Sequence, residues 1–332
     1  MPNQNQKKRH HYIPIAYLNK FTDESGRIYA YRKDEPETPL YVKPDNIGFE
    51  RYYYSQPLPE GGQDNNKLED FFSEDESTWP SVVERFQTGS AGYTDVVALC
   101  VFAGFLRVRV PATRDFVELA LAEQTKAQIK LLDSKGVLPP KPKGHEDILE
   151  HLAIGIDPHQ SLHAIPSLLR RFSRVWDSLE FDVLHNETDI AFIASDNPVI
   201  YFDPTVPDDR LVPYVVRPPF GPIELVFPIA SNTAILARTS RPSVLRHRRL
   251  SSGQTVKRIN RLIARFGYRF VFSRDSRHGS LIVKHASTSP IPTFETRPTP
   301  TGLVVTATWG FGPRPKKIRW TGSDRANPPN DE

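Results

Sequence analysis

The sequence has little of what marks secreted or membrane-embedded proteins. It contains one cysteine, Cys100, in 332 residues, which excludes a framework of intramolecular disulfides. Cys100 lies in an apolar run, so a buried, unreactive thiol is favoured over a nucleophile. The longest apolar run, Val96 to Leu106, is much shorter than the roughly 20 residues of a membrane-spanning helix. Because the start from Met1 to Arg9 is polar and basic rather than apolar, no secretory signal is indicated. We expect a soluble, cytoplasmic protein.

Several familiar catalytic patterns are also missing. The sequence has no glycine-rich phosphate loop, no paired cysteines at zinc spacing and no His-Glu-x-x-His. Ser195 lacks the flanking glycines of a nucleophile elbow. Zinc and nucleotide-fold chemistry therefore have no support, and Ser195 is a less attractive nucleophile.

The overall composition is that of an ordinary globular protein, with 38% hydrophobic and 25% charged residues. The net charge is +4 and the pI is about 9.0, which mildly favours polyanionic partners. Basic blocks at the two ends carry part of that charge, so the charge alone makes a weak argument for nucleic acid.

Hydrophobic periodicity divides the chain into two kinds of segment. Apolar residues recur at helical spacing through most of the first half, for example from Lys67 to Gln87 and from Ser161 to Trp176. After residue 178 the apolar residues alternate, as in β-strands. We predict one α+β domain over residues 1–286, in which a mostly helical N-terminal half packs on a largely antiparallel sheet from the C-terminal half. Residues 287–332 are rich in Pro, Thr, Arg and Gly, which predicts a mostly disordered tail.

The stretch from Phe192 to Phe202 is the centre of this prediction. Apolar β-formers flank Ser195, Asp196 and Asn197, so these polar residues must be hydrogen-bonded or serve a function. Asp-Asn-Pro is also favourable turn chemistry, because Asp and Asn side chains bond to their own backbone. A purely structural interpretation of this stretch therefore stays open.

The order of several motifs resembles the domain-of-unknown-function family 4238 (DUF4238), over roughly residues 7–285. The segments that carry the resemblance are His11-Tyr12-Ile13-Pro14 followed by Tyr17-Leu18 and Phe21, the aromatic end of Phe49–Tyr54, Glu69 and Glu76, Arg109-Val110-Pro111 with Arg114, Phe192–Val199, Phe227–Ala230, Asn260 and Phe272-Ser273. His10 stands where the family commonly has Gln, and Ala194 replaces its Thr. The resemblance implies a widespread microbial soluble domain and names no reaction.

The residues that fit both the resemblance and a chemical role are His11, Arg109, Asp196 and Asn197, with Ser195, Glu69 and Glu76 behind them. His11 has a pKa suited to proton transfer. Arg109 is suited to holding a phosphate, and Asn197 to donating a hydrogen bond to substrate. Asp196 is suited to orienting His11 or to binding a divalent metal with the glutamates.

These roles favour a metal-assisted hydrolase of nucleic acid or nucleotides, although the sequence does not establish that the chain is an enzyme. The alternative is a non-catalytic binding or regulatory module that recognises nucleic acid through Tyr52-Tyr53-Tyr54 and basic patches. Each of these residues also has a structural interpretation as a satisfied core group.

Overall fold

The computed structural model describes residues 7–176, 178–215, 221–239, 245–299 and 302–318. Its helices are α1 (Ile15–Leu18), α2 (Lys67–Thr88), α3 (Tyr93–Arg109), α4 (Pro111–Ser134), α5 (Ile165–Trp176), α6 (Gly253–Phe266) and α7 (Gly279–Ala286). Its strands are β1 (Arg9–His11), β2 (Ile28–Arg32), β3 (Glu35–Val42), β4 (Phe49–Arg51), β5 (Gln56–Pro57), β6 (Gln63–Asp64), β7 (Leu179–Asn186), β8 (Ala194–Ser195), β9 (Ile200–Phe202), β10 (Glu224–Ala230), β11 (Thr233–Thr239), β12 (Leu245–Leu250), β13 (Phe270–Ser273), β14 (Ser289–Thr299) and β15 (Gly302–Gly312).

Three consecutive helices, α2 to α4, form the helical layer. Gly89 ends α2 in the left-handed conformation (φ 77°), where its N–H bonds the last carbonyls of the helix. Asp95 lies in the first turn of α3 and accepts the N–H of Gly92 at 2.9 Å. Pro111 lacks an N–H and starts α4 after a bend of 50° from α3. No single helix in the described residues has the length and apolarity of a membrane span; only the bent pair α3 and α4 would pass jointly.

The strands form two main sheets. One has the order β12-β7-β11-β10-β9, in which β12 pairs parallel with β7 and the other pairs are antiparallel. The other has the order β3-β2-β13-β8 and is antiparallel. The second sheet joins strands from both ends of the domain.

The prediction of a mostly helical N-terminal half packed on a C-terminal sheet is wrong. Strands β1 to β6 precede the first long helix, and β2 and β3 complete a sheet with β13 and β8. Five of these six strands are only two to five residues long, and one of the two pairing partners of β2, strand β13, lies more than two hundred residues away in sequence. Local periodicity carries no information on such pairing.

The prediction of a disordered tail is also wrong for residues 289–299 and 302–312. Strands β14 and β15 pair along their whole length as a hairpin. Trp309 lies 4.9 Å from Phe116 of α4, and Phe311 lies 4.9 Å from Phe266 of α6, measured between ring centroids. Because a few aromatic side chains anchor the hairpin, its polar, proline-rich average composition was misleading. The part of the predicted tail from residue 319 onward lies outside the described residues.

The central stretch connects the two sheets. Strand β8 belongs to the four-stranded sheet and β9 to the five-stranded sheet, so residues 196–199 cross between them. Every residue from Ala191 to Ile200 is buried. The polar side chains in this crossing therefore need partners inside the protein.

Candidate functional site

Asp196 is used to hold the backbone that follows α6. Its carboxylate accepts the N–H of Tyr268 at 2.8 Å and the N–H of Arg269 at 2.8 Å. Its own N–H donates to the carbonyl of Phe270 at 3.1 Å. Burial raises the pKa of Asp196, and the backbone hydrogen bonds partly oppose that shift. Asp196 thus positions Tyr268 and Arg269.

Asn197 and Ser195 are also bonded inside the fold, although Oδ1 of Asn197 has no hydrogen-bond partner among the described residues. The Asn197 amide donates to the carbonyl of Phe266 at 2.8 Å and to the hydroxyl of Tyr214 at 2.5 Å. The hydroxyl of Ser195 accepts the N–H of Asn197 at 3.2 Å. None of the hydrogen bonds described for Asp196, Asn197 or Ser195 leads to His11 or Arg109, so the predicted site residues divide into two groups.

His11, Glu69, Glu76 and Arg109 form the other group, which we call the acid–base cluster. Glu69 and Glu76 are seven residues apart on α2 and so share a helix face. Arg109, at the end of α3, is 1% exposed. Its Nη1 donates to Oε1 of Glu76 at 2.7 Å, and its guanidinium lies 4.9 Å from the ring centroid of Phe72. The structure therefore brings together residues from β1, α2 and α3.

The pKa values within the acid–base cluster shift in opposite directions. Burial, with the nearby charge of Glu76, raises the pKa of Glu69 to about 7, although Arg109 opposes the shift. Burial, with the charges of Arg9 and Arg109, lowers the pKa of His11 below its usual value. Near neutral pH a substantial fraction of the Glu69 side chains therefore carries a proton, while the His11 imidazole is mostly neutral and can accept one.

The neighbouring residues His10 and His11 differ in how many of their ring nitrogens already have a hydrogen-bond partner. His10 is fully buried; its Nδ1 accepts the N–H of Tyr54 at 2.8 Å and its Nε2 lies 3.1 Å from the carbonyl of Lys7. Nε2 of His11 lies 3.3 Å from the carbonyl of Asp45. A carbonyl only accepts, so this contact places the proton of neutral His11 on Nε2. No hydrogen bond from the described part of the chain reaches Nδ1 of His11, which leaves that nitrogen as a base.

A second polar group, absent from the sequence predictions, surrounds a small cavity of about 110 Å³. Arg114 donates to the hydroxyl of Ser161 at 2.9 Å and to the carbonyls of Tyr53 and Pro158. Tyr268 donates to Asp115 at 3.0 Å. Arg269 contacts Glu50, while Lys317 contacts Asp115 and Glu118. The sequence signals here were Arg114, quoted with the Arg-Val-Pro motif, and the aromatic segment Phe49–Tyr54, which supplies Glu50, Tyr52 and Tyr53 to the cavity wall.

The buried Asp196 supports the residues around this charge-paired cavity. Asp196 fixes the backbone of Tyr268 and Arg269, and both side chains reach the cavity network. Tyr53 links the two polar groups, because its hydroxyl donates to the carbonyl of Arg109 at 2.8 Å and its carbonyl accepts from Arg114. Two of the segments that carried the family resemblance, Phe49–Tyr54 and Arg109–Pro111 with Arg114, therefore meet at Tyr53.

The metal-binding role predicted for Asp196 requires further ligands close to its carboxylate. Within the described residues, no group of three or more His, Cys, Asp and Glu side chains is placed to hold a metal ion. The two oxygens of Asp196 already accept backbone N–H groups. These residues therefore do not fit the divalent metal considered from the sequence.

Tyr53 and Tyr54 are core residues. Tyr54 is 1% and Tyr53 9% exposed, and Tyr54 packs against the rings of His10 and Phe72. Neither ring offers a face on which a nucleic-acid base could stack. The structure thus favours the structural interpretation for Tyr53 and Tyr54, whereas Tyr52 is partly exposed.

Comparison with known protein families matches residues 9–277 to a family described as protein of unknown function (DUF4238). The chain belongs to this family. The match confirms the resemblance found in the motifs. No curated protein and no solved structure matches the chain.

Proposed function

We propose that this DUF4238 member is an enzyme that cleaves RNA phosphodiester bonds by acid–base catalysis at the acid–base cluster. The observation that carries the proposal is the pair His11 and Glu69, whose pKa values are displaced in opposite directions around the same buried arginine, Arg109. Titratable groups whose pKa values are displaced in opposite directions are candidates for a catalytic acid and base.

The proposed step uses the ribose 2′-hydroxyl as an internal nucleophile, which avoids the cost of bringing in a second reactant. Nδ1 of neutral His11 takes the proton of the 2′-hydroxyl as its oxygen attacks phosphorus. The bond from phosphorus to the 5′-oxygen breaks, and protonated Glu69 gives its proton to that oxygen. The products are a 2′,3′-cyclic phosphate and a 5′-hydroxyl.

Arg109 supports this chemistry electrostatically. It lowers the pKa of both His11 and Glu69, and its positive charge favours a phosphate close to the two groups. Its guanidinium is fixed by Glu76 and the ring of Phe72, so it needs little reorganisation during reaction. We regard Glu76 and Phe72 as positioning residues.

The test is cleavage of a fluorescently labelled single-stranded RNA by the full chain in the presence of EDTA. We expect a cyclic phosphate product, and no cleavage of DNA of the same sequence. His11→Gln and Glu69→Gln should each lower the rate about 10²–10⁴-fold, the usual contribution of one acid or base. His151→Gln and Glu60→Gln, at exposed positions, are the matched controls and should retain activity.

The pH dependence gives a second test. The rate should rise as His11 loses its proton, at a pH below 6.5, and should fall as Glu69 loses its proton at about pH 7. The resulting optimum is therefore narrow and slightly acidic. In Glu69→Gln the descending limb should disappear. An RNA-cleaving activity with an alkaline optimum would contradict these roles.

A non-catalytic nucleic-acid-binding module is the second candidate. It is favoured by β12, an edge strand on which Arg246, Arg248 and Arg249 are exposed. All three contact carboxylates of Glu180, Asp182 and Glu187, which reduces their attraction for phosphates. Salt-sensitive RNA binding without cleavage by the full chain would support this candidate over the enzyme.

A further inference from the structure

A large open groove lies at the start of α6, on elements that do not contribute to the acid–base cluster. Its volume is about 790 Å³, within the range of small-molecule sites. The groove is lined by the first half of α6, by the turn at Arg277 and His278, and by Asp189 and Ile190. Neither the proposed reaction nor the fold accounts for this groove.

The groove is basic. Lys257 and Arg261 are one helical turn apart on α6 and both are exposed, and Arg277 faces them from the turn before α7. Arg258 is already bonded to Asp208 and Glu224.

Carboxylates compensate part of this charge. Asp189 lines the groove, Asp275 pairs with Arg277 at 2.8 Å, and Arg261 lies 4.0 Å from Asp208. No ion pair is described for Lys257. Lys257 and Arg261 thus remain the most available cations.

The first turn of α6 adds N–H donors. Ser252 caps the helix by accepting the N–H of Gln254. The other N–H groups of a first helical turn have no partner inside the helix, and with the helix dipole they favour anions. Gln254 and Thr255 of this turn line the groove.

His278 provides an independent sign of a ligand. It lines the groove, is 7% exposed, and its Nε2 has no hydrogen-bond partner among the described residues. A buried polar atom without a partner is costly. A ligand oxygen at this wall would supply the missing hydrogen bond.

We propose that this groove binds a small ligand that carries two or more phosphates, such as a nucleoside diphosphate. Its phosphates would lie between the first turn of α6 and the side chains of Lys257, Arg261 and Arg277. The rest of the ligand would extend towards Ile190 and Leu281, the apolar part of the wall. The proposal does not depend on RNA cleavage, which uses residues of β1, α2 and α3.

Isothermal titration calorimetry of the full chain with ADP, pyrophosphate and adenosine tests the proposal. We expect ADP to bind and adenosine to bind at least tenfold more weakly. Binding of pyrophosphate as tight as that of ADP would show that the phosphates suffice, and tighter binding of ADP would show that the nucleoside contributes; both support the site.

Thr255→Glu is the most informative variant. Thr255 is exposed in the first turn of α6, where a carboxylate favours the helix dipole but repels a phosphate. We expect an unchanged or higher melting temperature together with at least tenfold weaker ADP binding. Lys257→Ala with Arg261→Ala should also weaken binding about tenfold, while the exposed Lys130→Ala of α4 should not.

Absence of ADP and pyrophosphate binding at millimolar concentration would overturn the proposal. Binding that Thr255→Glu and the double variant leave unchanged would equally overturn it, since the ligand would then lie elsewhere. RNA cleavage by the Thr255→Glu variant should equal that of the parent, which separates this proposal from the proposed function.

Discussion

Replacing Asp196 tests whether the polar crossing between the sheets is structural. Asp196→Ala removes the acceptor for two backbone N–H groups, those of Tyr268 and Arg269. No neighbouring side chain is described that would take over both bonds. The variant therefore leaves two donors without their partner in a region that is buried or partly buried.

The expected cost follows from those two bonds. An orphaned buried N–H costs about 1–3 kcal/mol. The N–H of Arg269 is only partly buried, and the substitution also removes the cost of burying a carboxylate whose pKa is raised. We expect a net loss of about 2–4 kcal/mol in the free energy of unfolding, which in a domain of this length lowers the melting temperature by about 4–8 °C.

The assay is urea unfolding followed by tryptophan fluorescence, with thermal unfolding beside it. Asp196→Asn retains one acceptor oxygen and should lie between the parent and Asp196→Ala. The control is Asp209→Ala, an exposed residue whose substitution should change stability by less than about 0.5 kcal/mol. If Asp196→Ala unfolds at the same urea concentration as Asp209→Ala, the two hydrogen bonds do not stabilise the fold. That result would favour a chemical role for Asp196.

Two further predictions concern parts of the fold that the sequence did not reveal. Burial lowers the pKa of Lys33 to about 7, whereas its usual value is near 10.4. Between about pH 7 and pH 10 the unfolded chain therefore binds more protons than the folded chain. The free energy of unfolding should rise with pH in that range. Urea unfolding at pH 7 and pH 9 should show that rise in the parent and a smaller one in Lys33→Met; an equal rise in both would exclude Lys33 as its source. Trp309→Ala should cost about 1–3 kcal/mol, because the half-buried Trp309 ring packs on Phe116 and Tyr214. Exposed Thr306→Ala is the control, and an unchanged unfolding midpoint for Trp309→Ala would mean that the hairpin does not dock in solution.

Part of the candidate site could be predicted from the types and order of residues in the sequence. His11 and Arg109 were chosen because they fit both the family resemblance and a chemical role, and the structure places both in the acid–base cluster. Their assignment as catalytic residues stays a prediction. The pairing of Arg109 with Glu76, and the contrast between His10 and His11, depend on distances between segments that are remote in sequence.

The groove at α6 was not predicted at all. No role was predicted for the lysine and arginines of α6. These cations line a groove only because α6 lies beside the turn at Arg277 and His278. A search for basic residues within about three helical turns of a capping serine would have marked Ser252 to Arg261 as a candidate.

The sequence by itself determined the family, the α+β content, the buried position of Ser195 to Asn197, and the long helices, because apolar spacing and backbone chemistry are local properties. Only the tertiary structure decided which strands pair, that Asp196 serves the backbone at Tyr268 and Arg269, that the hairpin of residues 289–312 docks on α4 and α6, and which charges converge. The physical reason is that strand pairing and charge clusters are contacts between residues far apart in the chain. Their free energy depends on shape and burial, which no local pattern records.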